Sequence, residues 1–148
     1  MLSTEQIEQL DRLSQIFRAS FRAALPTLPH REEFTDRLII TVPAKHAETG
    51  ELTIYLDEDE ITVNIGTYFH CHFEAYIYDD LPAEDAKRKA VRSAIQYVTD
   101  FLADRIALRI TFEDGQYAQS GTYYRDTIPK PAGAKDQEYV WSGPLKAA

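Results

Sequence analysis

Apolar residues occupy every second position through the middle of the chain, and this alternation restricts the fold more than any other feature. It begins at Leu52, resumes at Ile61 after an acidic stretch, and follows the odd-numbered positions, Thr67 apart, as far as Ile77. A period of two residues is typical of a β-strand with one buried and one exposed face. Gly66 interrupts the second stretch, which is therefore either one long bulged strand or two strands joined near this glycine.

Four consecutive acidic residues separate the two alternating stretches and predict a turn. They are Asp57, Glu58, Asp59 and Glu60. Charged side chains are almost never buried unless they are paired, so this segment does not suit a core. A second hairpin is predicted where Asp114-Gly115 separates residues 106–112 from residues 116–124, because this dipeptide favours a two-residue turn.

Two other stretches have helical spacing. Ser3 and Gln6 form a capping-box pair, and apolar residues then recur at intervals of three and four across residues 7–24. Pro82 suits the first turn of a second helix, whose apolar face continues to Leu102. The sequence therefore predicts two amphipathic helices.

The remaining segments complete the predicted architecture. Residues 27–36 are interpreted as a connection, residues 38–42 as a short strand, and residues 126–148 as an irregular tail with a short strand near residues 139–141. These patterns predict one α+β domain over residues 1–148. We expect a mainly antiparallel sheet of about five to seven strands with two helices packed on one face.

Composition excludes several classes of function. A net charge of −8 over 148 residues disfavours nucleic acid as a partner, because binding to phosphates needs a basic surface. No apolar run approaches the roughly 20 residues of a transmembrane helix, so we expect no membrane partner. Cys71 is the only cysteine, which excludes an intramolecular disulfide and predicts a reducing, cytoplasmic location.

The negative charge is concentrated in one segment. Residues 46–86 contain eleven Asp and Glu residues and no Lys or Arg. Such a segment is either a set of solvated turns that keep the protein from aggregating or an acidic surface that attracts a basic partner.

One face of the alternating segment carries an unusual set of side chains. Residues at i, i+2 and i+4 of a strand project to the same side, so a run of aromatic, imidazole and carboxylate groups is expected together. The run comprises Tyr68, His70, His72, Glu74 and Tyr76. An exposed amphipathic strand and a protein-binding surface both fit this pattern, since tyrosine is enriched at binding hot spots.

A metal site is the alternative interpretation of the same strand. His70, His72 and Glu74 are residue types that bind zinc or non-haem iron. One straight strand chelates a metal poorly, so a further ligand would have to come from elsewhere, and His30 and His46 are the candidates.

No pattern in the chain predicts catalysis or a cofactor. Cys71 alternates with Phe69 and Phe73, so it is expected to face the core as an inert thiol. The Gly-x-Ser-x-Gly motif of serine hydrolases and the glycine-rich phosphate loop are both absent from the sequence. We therefore expect a protein that is not an enzyme.

Four motifs together resemble a known family. They are Glu51–Leu56 before an acidic turn, Glu60–Glu74 with its aromatic-His-x-His-Phe-acid run, the hairpin of Ile106–Tyr117, and the closing Val140–Gly143. Their order is similar to that in small cytosolic immunity proteins of bacterial polymorphic-toxin systems. The resemblance covers roughly residues 50–143 and does not include the N-terminal helix. It implies a non-enzymatic protein that binds and neutralises one cognate toxin domain.

The sequence thus predicts an acidic surface, bearing Tyr and His, that contacts the basic surface of a toxin domain. A homodimer through exposed tyrosines stays an alternative. The residues predicted to bind the partner are Asp57, Glu58, Asp59, Glu60, Tyr68, His70, His72, Glu74, Tyr76, Asp79 and Asp80.

Overall fold

The computed structural model describes residues 1–127 and 131–145 of the chain. The helices are α1 (Thr4–Gln9), α2 (Arg12–Ala24) and α3 (Ala83–Leu102), with a 3-10 turn at Ala75–Ile77. The strands are β1 (Arg31–Phe34), β2 (Leu38–Val42), β3 (Leu52–Leu56), β4 (Glu60–Ile65), β5 (Phe69–Glu74), β6 (Ile106–Glu113), β7 (Gln116–Tyr124), β8 (Asp136–Val140) and β9 (Gly143–Pro144).

The α+β class and the antiparallel pairing predicted from the sequence are confirmed. The strands form two sheets, however, where the sequence analysis expected one. Sheet A is a five-stranded meander in the order β1-β2-β3-β4-β5, and sheet B has the order β7-β6-β8-β9. The long helix α3 separates β5 from β6 in the chain, and β6 then pairs with later strands instead of with sheet A.

The alternation in the sequence becomes the two faces of sheet A. Every apolar residue at an alternate position of β2, β3 and β4 is buried, whereas the residues between them are mostly half-exposed. Helices α2 and α3 pack against each other, and α3 lies on the inner face of β4 and β5. One hydrophobic cluster extends from both helices through sheet A to Trp141, whose ring contacts that of Phe101 at 6.1 Å between centroids.

The predicted N-terminal helix is divided into α1 and α2. Ser3 and Gln6 make the predicted capping box, but the helix ends at Leu10, whose ψ of 140° is that of extended backbone. Asp11 then starts a new helix, because its carboxylate accepts hydrogen bonds from the backbone N–H of Ser14 at 2.9 Å and from the Ser14 hydroxyl at 2.8 Å. The aspartate cap thus replaces one long helix by two.

Strand β1 lies in the segment that the sequence analysis interpreted as a connection. Its middle residue Glu32 points to the buried face of sheet A and is only 8% exposed. Three cationic or polar groups surround the carboxylate: Arg18 Nε at 2.6 Å, Arg22 Nη1 at 3.3 Å and His30 Nε2 at 3.4 Å. A charged residue on the inner face of a strand conceals the apolar alternation, which explains why sequence alone missed β1.

The predicted irregular tail contains two strands. β8 pairs with β6 and β9 with β8, while residues 128–130 and 146–148 lie outside the described residues. The short strand predicted near residues 139–141 overlaps the end of β8. The strand begins earlier because its polar side chains pair across to β6: Arg109 Nε donates to Glu138 Oε2 at 2.9 Å, and Thr111 Oγ1 to Asp136 Oδ1 at 2.6 Å.

A buried hydrogen bond joins the two sheets next to a close backbone contact within sheet A. Gly50 and Gly66 both have positive φ, and they lie so close that a Cβ on Gly50 would meet Gly66 Cα at 2.8 Å. Between them and sheet B sits Thr49, which is fully buried and donates its hydroxyl to the carbonyl of Val140 at 3.2 Å. The loop before β3 and the turn after β4 are therefore fixed against the C-terminal strands.

We predict that Glu32→Ala lowers the free energy of unfolding by about 2–3 kcal/mol, because it leaves the partly buried guanidinium of Arg18 without its partner. Urea titration of both variants measures the effect. The matched control is Glu33→Ala on the exposed side of the same strand, for which a change within about 0.5 kcal/mol is expected. Equal losses in the two variants would contradict the assignment.

We predict that Gly66→Ala destabilises the protein by about 3 kcal/mol or more, because the new Cβ would lie 2.4 Å from the carbonyl oxygen of Thr49. Gly115→Ala is the control, since Gly115 also has positive φ but has open space around it. That variant should show only the backbone cost of roughly 1–2 kcal/mol. The difference between the two unfolding free energies measures the close packing of Gly66 against the backbone of Thr49.

Candidate functional site

The β4–β5 hairpin brings two separated acidic segments together. Glu60 lies opposite Glu74 in the register, and Ala75 N donates to the carbonyl of Asp59 at 2.8 Å. The turn before β4 is therefore next to the 3-10 turn after β5. We call this end of sheet A the acidic tip, and its residues are Asp57, Glu58, Asp59, Glu60, Glu74, Tyr76, Ile77, Asp79 and Asp80.

Basic side chains from other elements neutralise part of the acidic tip. Asp57 pairs with Arg37 at 3.3 Å and Asp59 with Lys87 at 3.5 Å. These cations lie outside the segment that lacks Lys and Arg, so the sequence analysis missed them. Glu58, Asp79 and Asp80 form no ion pair with any residue that the structure describes.

Two large hydrophobic side chains are exposed between the acidic residues Glu74 and Asp79 of the acidic tip. Tyr76 is 58% exposed and Ile77 is 56% exposed. The sequence analysis expected Ile77 on the buried face of a strand, and that prediction is wrong because β5 ends at Glu74 and the 3-10 turn rotates the following residues outwards. The neighbouring carboxylate of Glu74 raises the pKa of the Tyr76 hydroxyl, first by accepting a hydrogen bond from it.

His70 and His72 lie on the exposed face of β5, as predicted. Their rings are 5.2 Å apart between centroids and nearly perpendicular. His72 Nδ1 contacts the carboxylate of Glu60 and lies 3.1 Å from the hydroxyl oxygen of Thr62. Both rings line a shallow depression of about 360 Å³ on the outer face of sheet A.

The surroundings of this histidine pair do not resemble a metal site. Arg37 lines the same depression and places a cation beside the rings, with its guanidinium carbon 4.6 Å from the centre of the Tyr55 ring. The candidate further ligands are elsewhere: His30 contacts Glu32, and His46 packs against the backbone near Gly143. Among residues 1–127 and 131–145, no group of three or more His, Cys, Asp or Glu side chains is arranged to hold a metal ion.

Tyr68 is separate from the other predicted partner-binding residues. It precedes β5 in the turn at the far end of the hairpin, where strand alternation does not apply. Its ring packs near those of Phe112 at 6.3 Å and Tyr117 at 5.5 Å between centroids, and its carbonyl accepts a hydrogen bond from the Ser120 hydroxyl. Tyr68 therefore belongs to the junction of the two sheets.

Cys71 packs against the core on the inner side of β5. Burial raises the pKa of its thiol to about 11. The thiolate is the reactive form of cysteine, so this environment suppresses nucleophilic chemistry near neutral pH. The side chain is thus placed as the alternation predicts, away from the two histidines.

Comparison of the sequence with protein-family models finds no match. Comparisons with curated proteins and with solved structures likewise find none. Within the described residues, every helix is too short or too polar to cross a membrane.

We predict that iodoacetamide alkylates Cys71 about 100-fold more slowly in the native protein than in urea at pH 8, because the raised pKa keeps the thiol protonated. The alkylation rate of the native protein should rise with pH until the pH approaches the thiol pKa of about 11. Mass spectrometry of timed samples measures both rates. Similar rates in the native and unfolded chains would show that the thiol is neither buried nor shifted.

Proposed function

We propose that this protein is an immunity-type inhibitor that binds a basic toxin domain through the acidic tip. The observation that carries the proposal is the combination, on one surface, of unpaired carboxylates with the exposed side chains of Tyr76 and Ile77. Aromatic and apolar side chains surrounded by polar groups are the composition of a protein–protein interface, which has an apolar core and a polar rim. The resemblance to immunity proteins supports the same class of function.

The two kinds of side chain have different roles in such an interface. Tyr76 and Ile77 supply apolar area that a partner buries, and a tyrosine at the centre of an interface is a common hot spot. The surrounding carboxylates of Glu58, Asp79 and Asp80 attract a basic surface and accelerate association. Because these charges are exposed, salt should slow association more than it changes dissociation.

The proposed partner follows from charge and from the resemblance. A cognate toxin domain with a basic surface complements the acidic tip, whereas nucleic acid would be repelled by it. Binding without catalysis and a cytoplasmic location complete the proposal, since the lone cysteine favours a reducing compartment. A second copy of the chain is the competing occupant of the same surface.

The metal-binding alternative has weaker support. It depends on the adjacent rings of His70 and His72, and Glu74 is the third group that the sequence offers. Glu74 instead contacts the hydroxyl of Tyr76, and the cationic Arg37 lies beside the rings. Elemental analysis of protein purified without an affinity tag tests this alternative, and stoichiometric zinc or iron would establish it.

We predict that Tyr76→Ala weakens binding to the toxin domain encoded beside this chain by about tenfold or more, mainly through faster dissociation. The control is Tyr117→Ala, a similarly exposed tyrosine on sheet B, which should leave affinity unchanged. Biolayer interferometry gives the rate constants, and growth of cells that express the toxin reports neutralisation.

A second variant isolates the charge contribution. Replacing Asp79 and Asp80 together by Asn should slow association and reduce its dependence on salt, with little change in dissociation. Sedimentation of the protein alone detects a homodimer. Failure of the chain to bind or neutralise any neighbouring toxin, or an equal loss in the Tyr117→Ala control, would refute the proposal.

A further inference from the structure

A large depression lies at the junction of the two sheets, at the end of β4 and β5 opposite the acidic tip. Its volume is about 790 Å³, within the roughly 300–1,000 Å³ of small-molecule sites. The loop at residues 47–51 and the turn at residues 66–68 form one wall. Residues of β6 and β8, including Phe112 and Tyr139, form the other.

Backbone contacts fix the floor of this cavity. The close approach of Gly50 to Gly66 and the buried hydrogen bond from Thr49 to Val140 hold the loop, the turn and sheet B together. On the opposite wall, the hydroxyl of Tyr139 donates to Gln137 Oε1 at 2.5 Å. A ligand would therefore bind to a preformed site, and binding would not cost the entropy of ordering the loop and the turn.

The chemistry of the walls is aromatic and acidic. Tyr68, Phe112 and Tyr139 contribute ring surfaces, and Glu48 and Glu51 contribute carboxylates. None of the described residues that line the cavity is a lysine or an arginine.

The two carboxylates differ in their pairing. Glu51 pairs with Arg31 at 3.3 Å, whereas Glu48 forms no ion pair with a described residue. The pKa of the Tyr139 hydroxyl is raised, first by burial and then by the carboxylate of Glu48, so that carboxylate faces the ring. Glu48 is thus a carboxylate without a cationic partner among the described residues, and it lies beside the hydroxyl of Tyr139.

We propose that this cavity binds an organic cation, an ammonium or guanidinium group carried on an apolar or aromatic body. The carboxylate of Glu48 would accept hydrogen bonds from the cationic group, and aromatic faces attract cations through their quadrupoles. The apolar body would displace water from the rings of Tyr68 and Phe112. A ligand of this kind could be a free amine or a basic side chain of another protein.

This site is independent of the acidic tip. The two surfaces lie at opposite ends of the β4–β5 hairpin and share no residue, so either can be lost while the other is kept. The proposal names a ligand class that the toxin-binding function does not require.

Three phenyl compounds of similar size but different charge test the charge requirement. They are 2-phenylethylammonium, the neutral 2-phenylethanol and the anion 3-phenylpropanoate, titrated into the full chain with isotope-labelled aromatic residues. We expect the ammonium to shift the ring resonances of Tyr68, Phe112 and Tyr139 and to bind about tenfold more tightly than the alcohol, with no binding of the anion.

Matched variants locate the site. Glu48→Gln should weaken binding of the ammonium about threefold to tenfold, because it removes the carboxylate from the cavity. Glu58→Gln, which makes the same change of charge at the acidic tip, should leave binding unaltered. Both side chains are exposed, so both variants should fold, and their amide spectra verify this.

A short peptide, N-acetyl-Phe-Arg-amide, distinguishes the sources of the cation. Tighter binding of the peptide than of the free ammonium would identify a protein side chain, and the reverse order would identify a free amine. Either order supports the site. Equal binding of the alcohol and the ammonium, no binding of any probe, or equal losses in Glu48→Gln and Glu58→Gln would overturn it.

Discussion

The close packing of Gly50 against Gly66 fixes the loop that carries Thr49, and through Thr49 sheet A meets sheet B. Both glycines have left-handed backbone, which L side chains rarely adopt, and neither has room for a side chain. Their approach places Thr49 within hydrogen-bonding distance of the backbone of β8. The end of sheet A is consequently anchored to sheet B by a buried hydrogen bond from the Thr49 side chain to a main-chain carbonyl.

The opposite end of β4 and β5, at the acidic tip, is exposed to solvent and is not anchored to sheet B. At the acidic tip, the chain turns without burying its side chains, and Tyr76 and Ile77 stay in contact with solvent. The β4–β5 hairpin thus connects a rigid junction to an exposed surface about six residues away. Antiparallel pairing fixes the register of this connection, since each residue of β4 has a partner on β5.

Sequence alone predicts the parts of the fold in which local pattern and burial agree. The alternation correctly located β3, β4 and β5, and Asp114-Gly115 correctly marked the β6–β7 hairpin, where both residues have positive φ. It missed β1 and the first half of β8, because charged residues such as Glu32 and Glu138 are paired there by partners distant in the chain. A pattern that counts apolar residues has no information about those partners.

The candidate surfaces were partly predictable for the same reason. Charge counting identified the acidic segment, but only the fold shows that Arg37 and Lys87 neutralise some of its acids and that Ile77 is exposed. Tyr68 was grouped with the histidines by its even position, yet the turn places it at the other end of the hairpin. The cavity had no signal in the sequence, because its walls come from four separate segments.

Strand β1 has a consequence for association between copies of the protein. As the outermost strand of sheet A, it leaves one row of backbone groups unpaired, and an exposed edge of this kind invites another strand to add to it. The carboxylate of Glu32 points inwards and depends on Arg18 and His30 of its own chain. A continuous sheet formed across two molecules would have to accommodate a buried charge at the seam, so this edge resists fibre-like growth.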